Sequence, residues 1–237
     1  MSRIYVPTRG PEDWQRLLAD PELHWREGYS AMSLAQSWEA AHGLPAEIAA
    51  LFRRDGIEPE LLLALPEHQV PLPGARRGAS QCDVFALIRA GDHTVAAAIE
   101  GKVDESFGPL LGDWRRGASP GKQERLAFIA DLLGLTLPLP DDVHYQLLHR
   151  TAAAVIEARR FKTDEAAMIV HSFSPTKKWF DAFERFVGLF GKQANRGGDI
   201  IALSGHPPVN VGWATPHAGV LQTSPPLHGR PPEGEKM

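Results

Sequence analysis

The chain of 237 residues contains a single cysteine, Cys82. No intramolecular disulfide can form, and a zinc site built on several thiolates is excluded. Long apolar runs are lacking as well. No window approaches the ~20 consecutive apolar residues that a transmembrane helix needs. The opening stretch, MSRIYVPTRGPEDW, has no apolar segment of the kind a secretory signal requires. These absences lead to the expectation of a cytoplasmic protein with no membrane association. Charge of one sign is scarce too: the formal net charge is -4. That value counts against a protein that coats nucleic acid nonspecifically, although local patches, more than net charge, decide phosphate binding.

What is present is ordinary for a globular protein, with 43% apolar and 23% charged residues and no internal repeat. The length suggests one α/β domain over residues 1–222 with an N-terminal extension, 1–30. Residues 223–237, TSPPLHGRPPEGEKM, hold too much Pro, Gly and charge to pack and are expected to form a loose tail.

A short strand is expected at Arg3–Pro7 and a helix near Pro11–Ala19. Ser33 followed by Gln36 reads as a capping box opening a helix that buries Leu34, Ala35 and Trp38 and stops at Gly43. Pro45–Arg54 predicts another helix. Leu61–Leu65 leads into a Pro/Gly-rich loop, Pro66 to Gly78. Asp83–Ile88 and Thr94–Val103 then read as two strands around a Gly91-Asp92-His93 turn, a hairpin signal. Apolar periodicity predicts helices over Lys122–Gly134, Asp142–Arg160 and Lys178–Phe190, and strands at Ala166–Phe173 and Asp199–Ser204. The order is an α/β pattern with a mixed sheet.

The chemistry-bearing constellation lies in the hairpin. Asp83 opens one strand and Glu100 lies 17 residues later on its partner. Lys102 follows Glu100 by two, so both side chains point to one face of a strand. Folding the hairpin gathers two carboxylates and an ammonium at one end of a sheet. Mg2+ takes oxygen ligands, with two carboxylates as a usual protein share. A lysine beside it can orient a water or stabilise developing phosphate charge.

Asp83 with Glu100-Gly101-Lys102 at a strand end resembles the D…(D/E)xK signature of the PD-(D/E)xK (restriction-endonuclease-like) nuclease superfamily. Cys82 stands where the label has proline. The resemblance covers roughly residues 33–204 and implies a three-layer core with a central mixed sheet flanked by helices. It implies Mg2+ (or Mn2+) held by Asp83, Glu100 and the Gly101 carbonyl, with Lys102 positioning the attacking water. Many members add a glutamate from the preceding helix, for which Glu39 is the best match and Glu47 the second. Gln123 matches loosely the glutamine that some members use. The implied activity is phosphodiester hydrolysis of DNA, less readily RNA, with nucleic acid as partner and a homodimer as the assembly. The alternative is a non-catalytic binding or accessory protein that keeps the nuclease-like scaffold.

Other candidates point elsewhere. His144 and His149 are five apart, not the four of a helical zinc pair. His171 on an apolar strand reads as a core histidine. Asp104 and Glu105 read as a solvated loop, Cys82 as a small buried strand residue, and Trp179, Phe180, Phe183, Phe186 and Phe190 as core. Basic pairs at Arg53-Arg54, Arg76-Arg77, Arg115-Arg116, Arg159-Arg160 and Lys177-Lys178 would hold flanking phosphates if they converged.

Overall fold

The computed structural model describes residues 4–6, 8–74 and 78–216. The expected tail and the Arg76-Arg77 pair lie outside the described residues.

The chain forms a six-stranded mixed sheet flanked by helices. After a 3-10 helix, Pro11–Leu17, come α1 (Pro21–His24), α2 (Ser30–Ala41) and α3 (Ala46–Phe52). Three strands follow, β1 (Glu60–Val70), β2 (Ser80–Ala90) and β3 (His93–Lys102). Then come α4 (Leu111–Arg115), α5 (Pro120–Leu132), α6 (Tyr145–Phe161), β4 (Glu165–Ser172), α7 (Phe180–Gly188), β5 (Ile200–Leu203) and β6 (Val209–Ala214). The sheet order is β1-β2-β3-β4-β6-β5. Strands β1 to β3 form an antiparallel meander, β4 and β6 run parallel to β3, and β5 is antiparallel to β6.

The β2–β3 turn is as short as a hairpin allows. Ala90 pairs with His93, leaving Gly91 and Asp92 as the two turn residues. Gly91 has φ +60, which a first turn residue of the II′ type requires and which glycine adopts without steric cost.

Side-chain alternation divides β3 between two cores. Val95, Ala97 and Ile99 join Trp14, Leu34, Trp38, Ile48 and Phe52 on the α2–α3 side. Ala96 and Ala98 face the α6 side with Leu147, Leu148, Ala152 and Val155. The alanines, weak strand formers, let an alanine-rich helix approach the sheet closely. Trp213 of β6 closes the far end of that core against Phe107, Phe180 and Phe183.

Several expectations are corrected. Pro66 to Gly78 is not one loop, because β1 runs on to Val70. Pro66 is tolerated there because β1 lies at the edge of the six-stranded sheet. Strand β6, with Gly212 inside it, and short α4 went unread. A Cβ on Gly212 would meet Ile169 at 3.0 Å and Leu51 at 3.1 Å, so the glycine serves packing. Ser33 is not a cap: α2 begins at Ser30, and the Ser33 hydroxyl donates to the Tyr29 carbonyl at 3.0 Å. Of the strand expected at Arg3–Pro7, the described residues show a single bridge, Ile4 to Ala64.

Candidate functional site

The β1–β2 ladder runs to Val70–Ser80 and the β3–β4 ladder to Lys102–Ser172. Between them, the β2–β3 ladder stops at Val84–Ile99. The two central strands therefore part, and Asp83 lies in the fork. Its Oδ2 accepts the Gly101 N–H at 2.8 Å, replacing the backbone acceptor that a continuing ladder would supply. Paired residues in an antiparallel ladder exchange both backbone bonds, so the Gly101 carbonyl is directed at the same gap. A Cβ on Gly101 would lie 3.4 Å from Asp83 Oδ2 and from Ser30 Cβ, and 3.5 Å from Leu34. The first turn of α2 thus backs the fork.

The edge strand is distorted at the same level. Glu67 falls between the Pro66–Val84 and His68–Cys82 pairs and has φ +53, an uncommon conformation for a non-glycine residue. Gln81 donates to its Oε2 at 2.6 Å. Alternation in β2 also breaks here: Val84 lies in the α2-side core, and Cys82 in the α6-side core.

Glu100 and Lys102 continue the α6 face of β3 and are 2% and 4% exposed. Burying such a pair is costly unless hydrogen bonds complete it. Lys102 Nζ donates to Glu100 Oε1 at 2.6 Å, and Gln146 of α6 donates to the same oxygen at 2.7 Å. Arg150, one helical turn further on, donates through Nε to Glu100 Oε2 at 2.5 Å. A second Arg150 nitrogen reaches Ser80 Oγ at 3.1 Å, and Ser80 lies 2.8 Å from His149 Nδ1. Burial and the nearby Arg150 lower the His149 imidazole to about 3, and the Ser80 hydroxyl that meets this ring accepts from Arg150.

The three carboxyls differ in charge. Burial resists ionisation of Glu100, but Arg150 and Lys102 outweigh it and hold the group at about 2. Burial and repulsion from Glu100 push Asp83 up to about 7. Burial and the neighbouring Asp83 push Glu67 up to about 8. Two cations are thus spent on one acid, while Asp83 and Glu67 stand beside them with no ion-pair partner among the described residues. Among the described residues no group of three or more His, Cys, Asp or Glu side chains is arranged to hold a metal ion. Both Glu100 oxygens instead face Lys102, Gln146 and Arg150.

The structure therefore brings Asp83, Glu100, Gly101 and Lys102 together. Glu39 does not join them. It lies nine residues beyond Ser30 on α2, about 13 Å along the axis at the usual helical rise, and accepts the Trp14 indole N–H at 2.7 Å. Glu47 is occupied by fully buried His171, 2.6 Å away. Gln123 is exposed on α5, and Gln146 is the glutamine that reaches the site. Glu105, expected in a solvated loop, instead accepts the Ser30 N–H at 2.7 Å and the Val103 N–H at 3.0 Å, tying that loop to the start of α2. Cys82 is fully buried and its thiol is pushed up to about 12 by that burial, so it is unreactive.

Sequence reasoning missed Glu67, Gln146 and Arg150. One signal was available for the last: Arg150 falls on the buried stripe Leu147–Arg150–Ala154, where a charge has no reason to stand without a partner. Two of the basic pairs among the described residues lie away from the site. Arg54 pairs with Glu165 and Arg159 binds the His206 carbonyl, both at the opposite end of β4 from Ser172.

No curated protein and no solved structure matches the chain. A family model described as Domain of unknown function (DUF6946) matches residues 7–218, most of the chain, and the protein belongs to that family.

Proposed function

We propose that the protein is a divalent-cation-dependent phosphodiesterase of the PD-(D/E)xK type, acting on DNA or, less readily, RNA. The observation that carries this reading is the convergence of Asp83, Glu100 and Lys102 at the fork where β2 and β3 part. The order of α2, the antiparallel meander, α6 and parallel β4 is also similar to the restriction-endonuclease-like core.

The donor set fits a hard cation. Asp83 and Glu67 are neighbouring acids with no ion-pair partner among the described residues, and a divalent ion relieves such repulsion. Glu100 has three donors on its roughly four lone-pair positions, which leaves one for a metal. Mg2+ or Mn2+ would be held by Asp83, Glu100 and the Gly101 carbonyl. When bound, it would supply charge neutralisation at the scissile phosphate and a more acidic water.

The chain's own groups do the rest. Lys102 holds the attacking water, its ammonium fixed by Glu100 and by the face of Phe107, 5.1 Å away. Arg150 and Gln146 keep Glu100 ionised and oriented, and the first turn of α2 limits water behind Asp83.

The test is cleavage of labelled single- and double-stranded DNA and RNA with Mg2+ or Mn2+. Asp83→Ala and Lys102→Ala are each expected to lower the rate by about 10²–10³ with the fold retained. Absence of cation-dependent cleavage by the wild type across these substrates would sink the proposal. A second reading, a binding module on the same scaffold, is favoured by one observation: Arg150 and Lys102 already neutralise Glu100 without a metal. Nucleic-acid binding without cleavage would select it.

A further inference from the structure

Consecutive residues at the start of α6 each reach a different neighbour. Gln146 donates to Glu100 at the fork. Tyr145 stacks on Trp114 of α4, with ring centroids 3.9 Å apart and planes 18° from parallel. His144, the N-cap, meets Trp179 at 6.0 Å with the rings nearly perpendicular. His144 also lies 5.9 Å from Phe107, the ring that faces Lys102. The two tryptophans therefore flank the helix start whose glutamine enters the candidate site.

Both indoles are half-buried, and each has a lysine beside it. Lys122 Nζ sits 5.0 Å from the Trp114 ring centre and donates to the Trp114 carbonyl at 3.1 Å. It has no carboxylate partner among the described residues. Lys178 Nζ lies 6.0 Å from the Trp179 ring centre, and its Asp104 contact at 3.5 Å is an exposed, weak pair. Packing alone does not account for Trp179. Its φ is +71 and that of Lys177 is +53, a left-handed region that bulky side chains rarely adopt. The indole N–H donates to the Asp104 carbonyl at 2.9 Å, which holds the ring beside the end of β3. Backbone strain of this kind gathers at ligand-binding positions. The carboxyl ends of parallel strands, here β3 and β4, are also where open α/β sheets bind their ligands.

We propose that Trp114 and Trp179 clamp bases on either side of the entrance to the fork, so that the strand reaching the site is unpaired. A π face beside an ammonium suits a nucleotide, whose base stacks while its phosphate meets the cation. Bases inside a duplex already have both faces stacked, so paired DNA has nothing to offer such a clamp. Lys122 covers the outer face of Trp114, and its flexible stem lets it swing from the ring to a phosphate when a base arrives. The clamp rests on the phosphodiesterase reading and narrows its substrate class to single-stranded nucleic acid. Trp114 and Trp179 select the strand and take no part in the chemistry.

The experiment is fluorescence anisotropy with the full chain in EDTA, which holds cation-dependent cleavage off. The probes are a labelled thymine oligonucleotide of about 15 nucleotides, an abasic strand of the same length, and the matching duplex. Wild type is expected to bind the thymine strand about 10-fold or more tightly than the abasic one, the usual weight of base stacking. Trp114→Ala and Trp179→Ala should each lower thymine-strand affinity by about 10-fold and leave the abasic strand unchanged, a split that a merely structural role would not give. Trp114→Leu and Trp179→Leu keep apolar bulk, lose the π face and should show the same split. They serve if circular dichroism shows that the alanine variants do not fold. Lys122→Ala should weaken both strands alike, because phosphates are common to them. Equal binding of the thymine and abasic strands by wild type, binding of neither, or tighter binding of the duplex would overturn the clamp. Folded tryptophan variants with wild-type affinity would overturn it as well. Base-dependent binding without Mg2+-dependent cleavage would leave the clamp standing and remove the phosphodiesterase reading. Cleavage by a protein that binds both strands equally would do the reverse.

Discussion

The β3–β4 pair has a glutamate at each end, and the two ends solve the same problem differently. Glu165 opens β4, receives Arg54 at 2.6 Å and Asn210 at 2.7 Å, and lies 3.1 Å from the His93 ring. Glu100, near the end of β3, receives Lys102, Gln146 and Arg150 at 2.5–2.7 Å. At the Glu165 end the β3–β4 and β4–β6 ladders pair without a fork, and Arg54 is a third exposed. At the Glu100 end the ladder splits, Arg150 is buried, and two further acids crowd the gap. The first end needs nothing beyond what it has. The second holds charges in arrangements that the folded chain alone does not relieve, and such strain clusters where ligands bind.

The largest expected effect that would test this contrast is on stability. Arg150→Met leaves Glu100 buried with one cation fewer and should cost about 3–5 kcal/mol, whereas Arg54→Met, at a partly exposed pair, should cost about 1 kcal/mol or less. Urea unfolding of the two variants measures the difference, and equal costs would abolish the distinction between the ends. Next in size is Glu39→Ala. Removing the acceptor of the buried Trp14 indole should cost about 1–3 kcal/mol and leave cation-dependent cleavage unchanged. Loss of cleavage at full stability would instead return Glu39 to the site.

A smaller effect lies in the pH dependence. The folded values of Asp83 and Glu67, about 7 and about 8, lie above ordinary carboxyl values. Stability from such groups is fully present below their unfolded values and is lost as pH rises through the folded ones. Glu100 has the opposite sign: its share is present above the unfolded value and disappears as pH falls towards about 2. Glu67→Gln, which keeps an acceptor for Gln81, should therefore gain in melting temperature over wild type as pH rises from 5 to 9. A constant offset across that range would mean that Glu67 is not held in its neutral form. Glu165, whose value is lowered as Arg54 and Asn210 outweigh its burial, should show no such gain on substitution to Gln.

Much of the architecture was legible because it rests on periodicity and punctuation. Gly91 marked the hairpin, the apolar runs marked β2, β3 and β4, and the longer helices followed from their stripes. The unread parts failed for local reasons. Pro66 and Glu67 break the pattern of β1, yet an edge strand accepts the proline, and the positive φ at Glu67 is held by tertiary surroundings that no local pattern announces. Gly212 hides β6 because it answers to Ile169 and Leu51, far away in sequence. At the site, the two-residue spacing of Glu100 and Lys102 fixed their common face in advance. The partners of Glu100 could not be foreseen from spacing, because they arrive from a helix 46 to 50 residues away. Glu39 misled because helix α2 does abut the site, but by its first turn and not its last.

The separation between the meander and α6 bears on how the chain folds. Contacts within β1, β2 and β3 close short loops, while docking Arg150 onto Glu100 spans 50 residues and carries the larger closure entropy. If the meander closes first, Glu67, Asp83 and Glu100 are gathered with Lys102 as their cation before the guanidinium lands. Nascent sheet formation then meets a barrier of like charge. The refolding rate in stopped-flow experiments should fall as pH rises from 5 to 8, and added salt should restore it through screening. A rate indifferent to both would place α6 on the sheet before the meander closes, making the arginine the guide for the acids and not their late companion.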